Sequence, residues 1–207
     1  MTTTAPSTPP AVRRRYSWRV VDIVVAAVIG VAAGVVFLAW NFGYEGPGTL
    51  LKLAFPGSQG LLNGVWLFAG VLGGIIIRKP GAALFTEIVA ASVSALMGNQ
   101  WGGFLTLEAG LVQGLGAELV LALFLYRRFG VEVAVLAGAA AGLFGSVNDL
   151  VLWYAGADVG FSVIYVLTSV LSGAVLAGLL SWLLARGIAR TGALDRFAAG
   201  RESAARV

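Results

Sequence analysis

The chain alternates between long apolar runs and short polar breaks over almost its whole length. Six of these runs have roughly the 18 to 26 residues that an α-helix needs to cross a hydrocarbon core ~30 Å thick at 1.5 Å per residue. We place them at Val20–Trp40, Gly60–Ile77, Pro80–Met97, Glu108–Tyr126, Val131–Tyr154 and Gly160–Ala185. The pattern predicts an all-α membrane protein, a bundle of six transmembrane helices.

The two ends of the chain have a different character from this bundle. Residues 1–17 are rich in Thr and Pro and then become basic, which predicts a disordered basic N-terminal tail. Residues 18–187 form the predicted six-helix substrate-binding domain. Residues 188–207 are polar and Ala-rich, and we expect them to form a C-terminal tail outside the bilayer.

Basic residues lie on one side of the predicted bundle. They precede the first run, join runs two and three, join runs four and five, and follow run six: Arg13, Arg14, Arg15, Arg19, Arg78, Lys79, Arg127, Arg128, Arg186, Arg190, Arg196, Arg201 and Arg206. Lys52 is the one basic residue in a connection on the opposite side of the predicted bundle. The positive-inside rule therefore predicts that both termini are cytoplasmic, and the basic charge marks topology and not a nucleic-acid partner.

Composition narrows the chemistry further. The chain is 58% hydrophobic and only 12% charged, and it contains neither His nor Cys. Disulfides, imidazole proton relays and zinc sites with His or Cys ligands are thereby excluded, and soft or borderline metals are disfavoured. We find no nucleophile–base arrangement and no G-x-x-x-x-G-K-[ST] phosphate loop, so we expect no enzyme activity and no cofactor in this chain.

Polar residues within the apolar runs are the candidates for function, because burying them in hydrocarbon is costly. They are Glu87, Gln113, Glu118, Asn148 and Asp149, with Asn63 and Glu108 near an interface. No Arg or Lys lies within a run to neutralise the carboxylates. Each carboxylate must be protonated, face water, accept hydrogen bonds or meet a cationic ligand.

Depth along the predicted helices sorts these residues into two tiers. An outer cluster contains Asn148, Asp149, Trp153, Glu108 and Gln113, and a deeper pair contains Glu87 and Glu118. Aromatic residues accompany the outer tier, where they could contact a ligand or form an ordinary interfacial belt: Trp40, Tyr44, Trp66, Trp101 and Tyr165. We expect the outer cluster to recognise a ligand and Glu87 to brace helices at or under the pocket floor, near Glu118.

Two further segments have open interpretations. The outer connection Asn41–Gln59 could be a lid or a hydrated loop. In the first run, Asp22, Ala26, Gly30 and Gly34 recur at four-residue steps and form a flat face of mostly small residues. Such a face suits helix docking, either inside the bundle or against another protein.

Four stretches resemble the S components of energy-coupling factor (ECF) transporters, in particular a YkoE-like group associated with thiamine and its hydroxymethylpyrimidine precursor. In chain order they are "WRVVDIVVAA", "IIIRKPGAALFTEIVAA", "GNQWGG" and "QGLGAE". The resemblance implies a six-helix bundle in a prokaryotic plasma membrane, with a vitamin pocket open to the outside. It also implies a T component and two ATP-binding subunits as partners, with ATP used by those subunits, and it gives Ala26, Gly30 and Gly34 the T component as their partner.

Three functions remain in competition at this stage. The preferred one is a vitamin-binding S component for thiamine or hydroxymethylpyrimidine. The second is a permease subunit for a metal such as cobalt, against which the lack of His and Cys counts. The third is a stand-alone channel or proton-coupled carrier that works through Glu87 and Glu118.

Overall fold

The regular elements of the protein are all helical within residues 16–200, the part of the chain that the computed structural model describes. Most of the predicted N-terminal tail and the last seven residues lie outside this part. The elements are α1 (Val20–Gly43), α2 (Glu45–Ala54), a 3₁₀-helix (Ser58–Trp66), α3 (Phe68–Ile77), α4 (Ala82–Leu96), α5 (Gly103–Leu123), α6 (Val131–Leu152), α7 (Val159–Ser172), a π-helical segment (Gly173–Leu179) and α8 (Leu180–Arg190).

Four helical runs of the described chain are long and apolar enough to cross a membrane by themselves. They are α1, α5, α6 and the continuous run Val159–Arg190. The 3₁₀-helix and α3 pass the same test only as a pair, bent by 41°. The other predicted run, Pro80–Met97, forms α4, whose 15 residues span only ~22 Å. The protein is therefore a multi-pass helical membrane protein with four to five spans by length.

The outer connection predicted at residues 41–59 contains regular structure. Helix α1 continues to Gly43, and α2 follows almost directly. Helix α2 carries the exposed side chains of Leu50 and Leu53 and buries only Gly48 among its residues. The segment is therefore a short, mostly exposed helix between α1 and the 3₁₀-helix.

The flat face of α1 packs inside the chain, which corrects the assignment of Ala26, Gly30 and Gly34 to a partner protein. All three are buried, and a Cβ placed on Gly30 would lie 2.7 Å from Cβ of Val89. A Cβ on Gly34 would likewise lie 2.7 Å from the carbonyl oxygen of Ala90. Small residues on α1 thus allow close approach of α4, the packing that such faces provide in membrane helices.

The two ends of the bundle differ in chemistry. One, which we call the basic end, carries Arg19, Arg78, Lys79, Arg127, Arg128 and Arg186 at helix termini and connections. Here Lys79 and Arg19 pair with the fully buried Asp22, at 2.8 Å and 2.7 Å. The other, the aromatic end, carries Trp40, Tyr44, Trp101, Trp153 and Tyr154.

The C-terminal segment after α8 returns to the basic end. Leu194 and Phe197 are 4% and 3% exposed, and the Arg19 guanidinium lies 5.8 Å from the centre of the Phe197 ring. Part of the segment predicted as a tail therefore packs on the bundle.

Candidate binding cavity

A cavity of about 190 Å³ lies within the bundle between its middle and the aromatic end. Side chains from α1, the 3₁₀-helix, α4, α5, α6 and α7 line it. On α4 the lining runs from Glu87 through Ala91 to Ser94, seven residues or ~10 Å along the helix. We call the Glu87 level the floor and the Ser94 level the ceiling.

Glu87 forms the floor, and the start of another helix stabilises it. Its side chain is 1% exposed, and Oε2 accepts a hydrogen bond from the amide of Gly70 at 2.6 Å. Gly70 is the third residue of α3, so this amide is one of the first in the helix, where backbone donors lack partners and the helix dipole is positive. Oε1 is buried without a hydrogen-bond partner among the described residues. Oε2 is anchored by the protein, whereas Oε1 has no partner among the described residues and belongs to a side chain that lines the cavity.

Glu118 has an analogous environment at a different helix start. Its carboxylate accepts from the amides of Gly81, Ala83 and Leu84 at 2.6, 2.9 and 3.2 Å, and from the Tyr126 hydroxyl at 2.7 Å. These amides begin α4. Glu118 does not line the cavity; it lies one turn along α5 from Gly114, which packs against Glu87. The two deep glutamates are neighbours with separate partners.

Asp149 belongs to a hydrogen-bonded chain on the opposite wall. The Tyr165 hydroxyl donates to Oδ2 of Asp149 at 2.7 Å and accepts from the Asn63 amide at 2.9 Å. The Asn63 amide also donates to Oγ of Ser169 at 3.0 Å. This chain connects the 3₁₀-helix, α6 and α7, and all of its members except Ser169 line the cavity.

Aromatic rings close the ceiling. Tyr44, Trp66 and Trp101 contact one another edge to face, with centroids 5.1, 6.0 and 6.3 Å apart. Trp153 extends the cluster, 5.9 Å from Trp101. Burial raises the pKa of the Tyr44 hydroxyl to about 12, with smaller contributions from nearby acidic groups, so this hydroxyl keeps its proton at neutral pH. We call Tyr44, Trp66 and Trp101 the ring cluster.

Of the residues predicted from the sequence, the cavity brings together nine: Asn63, Glu87, Gln113, Asp149, Trp153, Tyr165, Trp66, Trp101 and Tyr44. Four others lie elsewhere. Asn148 and Glu108 bond to each other at 2.9 Å away from the cavity lining, and Trp40 lies behind Trp66 with its indole N–H directed to the carbonyl of Leu62. Glu118 caps α4, as described above.

Several lining residues were not among the predicted set, notably Asn41, Ser94 and Asn99. Asn41 could have been found by extending the buried face of α1, which continues beyond Gly34 through Phe37 to Asn41. Asn99 belongs to the short "GNQWGG" connection, whose spacing carries no helical period and gives no sign of which side chains turn inward.

The charge of the lining is one-sided. Glu87 and Asp149 are its acidic residues, and no Lys or Arg is among the described residues that line it. The remaining surface consists of aromatic, amide, hydroxyl and small apolar groups. A cavity with carboxylates, ring faces and no cation suits a flat molecule that carries positive charge or amino donors.

Comparison with known proteins gives three matches. A family model described as "ABC-type cobalt transport system, permease component" matches residues 21–144. The "Putative HMP/thiamine permease protein YkoE" of Bacillus subtilis (strain 168) is 37% identical over 188 residues, which cover 90% of this chain and 92% of that protein. A solved structure, "Crystal structure of an S-component of ECF transporter", aligns with a TM-score of 0.82 at 36% identity and covers 90% of this chain and 93% of that chain.

Proposed function

Because this chain belongs to the YkoE-like family of ECF transporter S components, we propose that it captures thiamine or its hydroxymethylpyrimidine precursor in the cavity under the ring cluster. As a transporter subunit it is not an enzyme, and its work is to bind a substrate and release it across the membrane. The relative from Bacillus subtilis is named for hydroxymethylpyrimidine and thiamine. The chemistry of the cavity gives independent support for a ligand of this class.

The observation that carries the proposal is the pairing of carboxylates with ring faces in a lining that has no cation among the described residues. Thiamine contains a positively charged thiazolium ring and an aminopyrimidine ring. Aromatic faces attract such a cation, and a buried carboxylate strengthens that attraction. The cavity therefore complements both the charge and the flatness of thiamine.

The aminopyrimidine ring supplies the polar contacts in this proposal. Its exocyclic amine donates to Oε1 of Glu87, the buried oxygen that has no partner in the described protein. Its ring nitrogen accepts from the side-chain amide of Gln113, which lies on α5 beside Glu87 and packs over Gly145. Paired bonds of this type fix the orientation of a planar ligand and leave no buried polar group unsatisfied.

A cobalt substrate is a poorer fit to these residues, although the matching family model carries that metal in its description. Cobalt sites favour imidazole and other nitrogen or sulfur ligands, and the chain has no His or Cys. Within residues 16–200 no three His, Cys, Asp or Glu side chains are grouped closely enough to hold a metal ion. We therefore favour the organic cation.

The proposal extends to topology and partners. We propose that six segments cross the membrane, with the short α4 as the third and the bent 3₁₀–α3 pair as the second. The basic end faces the cytoplasm by the positive-inside rule, so the cavity opens outward and collects substrate from outside. A T component and two ATP-binding subunits supply the energy, since no phosphate-binding loop is present in the sequence.

Isothermal titration calorimetry of the purified protein tests the function directly. Thiamine, hydroxymethylpyrimidine and Co²⁺ are titrated separately, and we expect saturable one-to-one binding of thiamine with no heat from Co²⁺. Binding of Co²⁺ without binding of either vitamin compound would overturn the proposal. Asp149→Asn, which removes a cavity charge but keeps an acceptor for Tyr165, should weaken binding of thiamine, which carries a fixed positive charge, more than binding of the neutral precursor.

A further inference from the structure

Asn41 has a set of contacts that the proposed function does not yet use. It lies in the last turn of α1, is 2% exposed and lines the ceiling of the cavity. Its Oδ1 accepts hydrogen bonds from two indole N–H groups, those of Trp66 at 2.8 Å and Trp101 at 3.3 Å. Its Nδ2 donates to Oγ of Ser94 at 3.2 Å. One side chain thus joins α1 to α4 and to both tryptophans of the ring cluster.

The two tryptophans come from segments outside the regular α-helices. Trp66 ends the 3₁₀-helix just before the 41° bend into α3. Trp101 lies in the connection between α4 and α5, flanked by Gly98 and Gly102 at φ of 85° and 83°. Such connections are more mobile than the helices that they join. A common hydrogen-bond acceptor on a rigid helix is therefore well placed to set the angle of both rings.

We propose that Asn41 is a positioning residue that holds the indoles of Trp66 and Trp101 in the orientation required for ligand binding. The inference rests on the proposed function, because it assigns the ring cluster to an aromatic ligand. Asn41 acts through the two rings, and Tyr44, one turn further along the chain, completes the cluster from the same helix end.

The chemistry of the amide explains why asparagine suits this position. Its carbonyl oxygen has two lone pairs and can accept from two N–H donors at once, while its NH₂ group donates to Ser94. Leucine has nearly the same size and offers neither function. A protonated aspartic acid has the same shape, keeps the carbonyl acceptor and can still donate a proton to Ser94.

The test compares Asn41→Leu, Asn41→Asp and Thr86→Val. Thr86 is buried on α4, lies outside the cavity lining and bonds the carbonyl of Ala82, so its variant controls for loss of one buried hydrogen bond.

Near-UV circular dichroism of the ligand-free protein reports the packing of the tryptophans, and calorimetry reports thiamine affinity. Asn41→Leu should change the tryptophan bands and weaken thiamine binding about tenfold or more, because both indole hydrogen bonds are lost together with the bond to Ser94. Asn41→Asp should restore most of both properties, and Thr86→Val should alter neither.

A double-mutant cycle with Trp66→Phe keeps the inference testable if Asn41→Leu folds poorly. Trp66→Phe keeps a ring and removes the N–H donor, and Asn41→Ala removes the acceptor, so adding Asn41→Ala to Trp66→Phe should cost less affinity than the single changes predict together. Wild-type bands and affinity in Asn41→Leu, or full additivity in the cycle, would overturn the inference. Failure of the wild type to bind both thiamine and hydroxymethylpyrimidine would overturn the proposed function instead, and the dichroism of the ligand-free variants would still decide the role of Asn41.

Discussion

Two glutamates lie deep in this membrane protein, and each is stabilised by the first amides of a helix other than its own. Glu118 accepts three amides at the start of α4, and Glu87 accepts one at the start of α3. Helix N-termini combine free N–H donors with a positive dipole, so they compensate a carboxylate without any Lys or Arg. The sequence showed that the carboxylates needed compensation. The predicted run that begins at Pro80 gives the helix start that Glu118 caps, but the sequence could not show the one that stabilises Glu87, because the break at Leu67 that begins α3 lies inside an uninterrupted apolar run.

The difference between the two glutamates leads to a prediction for Glu87. The sequence favoured a bracing role, and the structure gives Oε2 that role, while Oε1 is buried and has no partner among the described residues. Glu87→Gln should fold in normal yield, because an amide oxygen can still accept from Gly70. It should weaken thiamine binding by roughly 1–3 kcal/mol, the value of a hydrogen bond to a charged group. Calorimetry of the variant and the wild type measures the change.

Glu118→Gln is the matched control for this experiment. It should lower the melting temperature, because the cap of α4 loses its charge, while thiamine affinity stays near that of the wild type. If Glu87→Gln binds thiamine as the wild type does, Glu87 is a brace alone and the recognition contact must be sought at Asp149.

At the scale of helices, the periodicity of the sequence predicted correctly which face of a helix is closely packed, but it did not predict which segment packs against that face. The four-residue steps of Ala26, Gly30 and Gly34 correctly indicated a flat, closely packed face. The same pattern serves contact within a chain or between chains, because only small size is required in both cases. The face in fact receives Val89 and Val93 of α4. Long runs also concealed internal changes, such as the bend between the 3₁₀-helix and α3 and the π-helical segment before α8.

Replacing Gly30 or Gly34 with Leu tests the internal packing of α1. At both positions even a Cβ would lie under 3.0 Å from α4 atoms, so a larger side chain must push the helices apart. We expect lower thermal stability and loss of thiamine binding in the isolated protein, since Asn41 and Phe37 of the same helix line the cavity. Ala32→Leu on the exposed face of α1 is the control and should change neither property. Normal stability of both glycine variants would contradict the packing described here.

At the scale of the whole molecule, the arrangement of charge was the most informative feature of the sequence. Helix class, the approximate helix positions and the separation of basic and aromatic ends all follow from hydropathy and from the location of Arg and Lys. The lining of the cavity could be predicted less well from the sequence, because it depends on side chains from six elements that meet only after packing. Polar residues within helices, such as Glu87 and Asp149, were recognisable, whereas those in the "GNQWGG" connection were not.

Cysteine labelling tests the orientation on which the outward-facing cavity depends, and the chain has no native Cys to interfere. Gly46 and Ala157 are exposed near the aromatic end, and Gly187 is exposed near the basic end; a Cβ on Gly46 or Gly187 would meet no atom within 4 Å. In intact cells a membrane-impermeant maleimide should label Gly46→Cys and Ala157→Cys, and should label Gly187→Cys only after the cells are opened. The reason is the predominance of Arg and Lys at the basic end, which retains that end in the cytoplasm during insertion. Labelling of Gly187→Cys in intact cells, with protection of the other two, would place the cavity on the cytoplasmic side and rule out capture of substrate from outside.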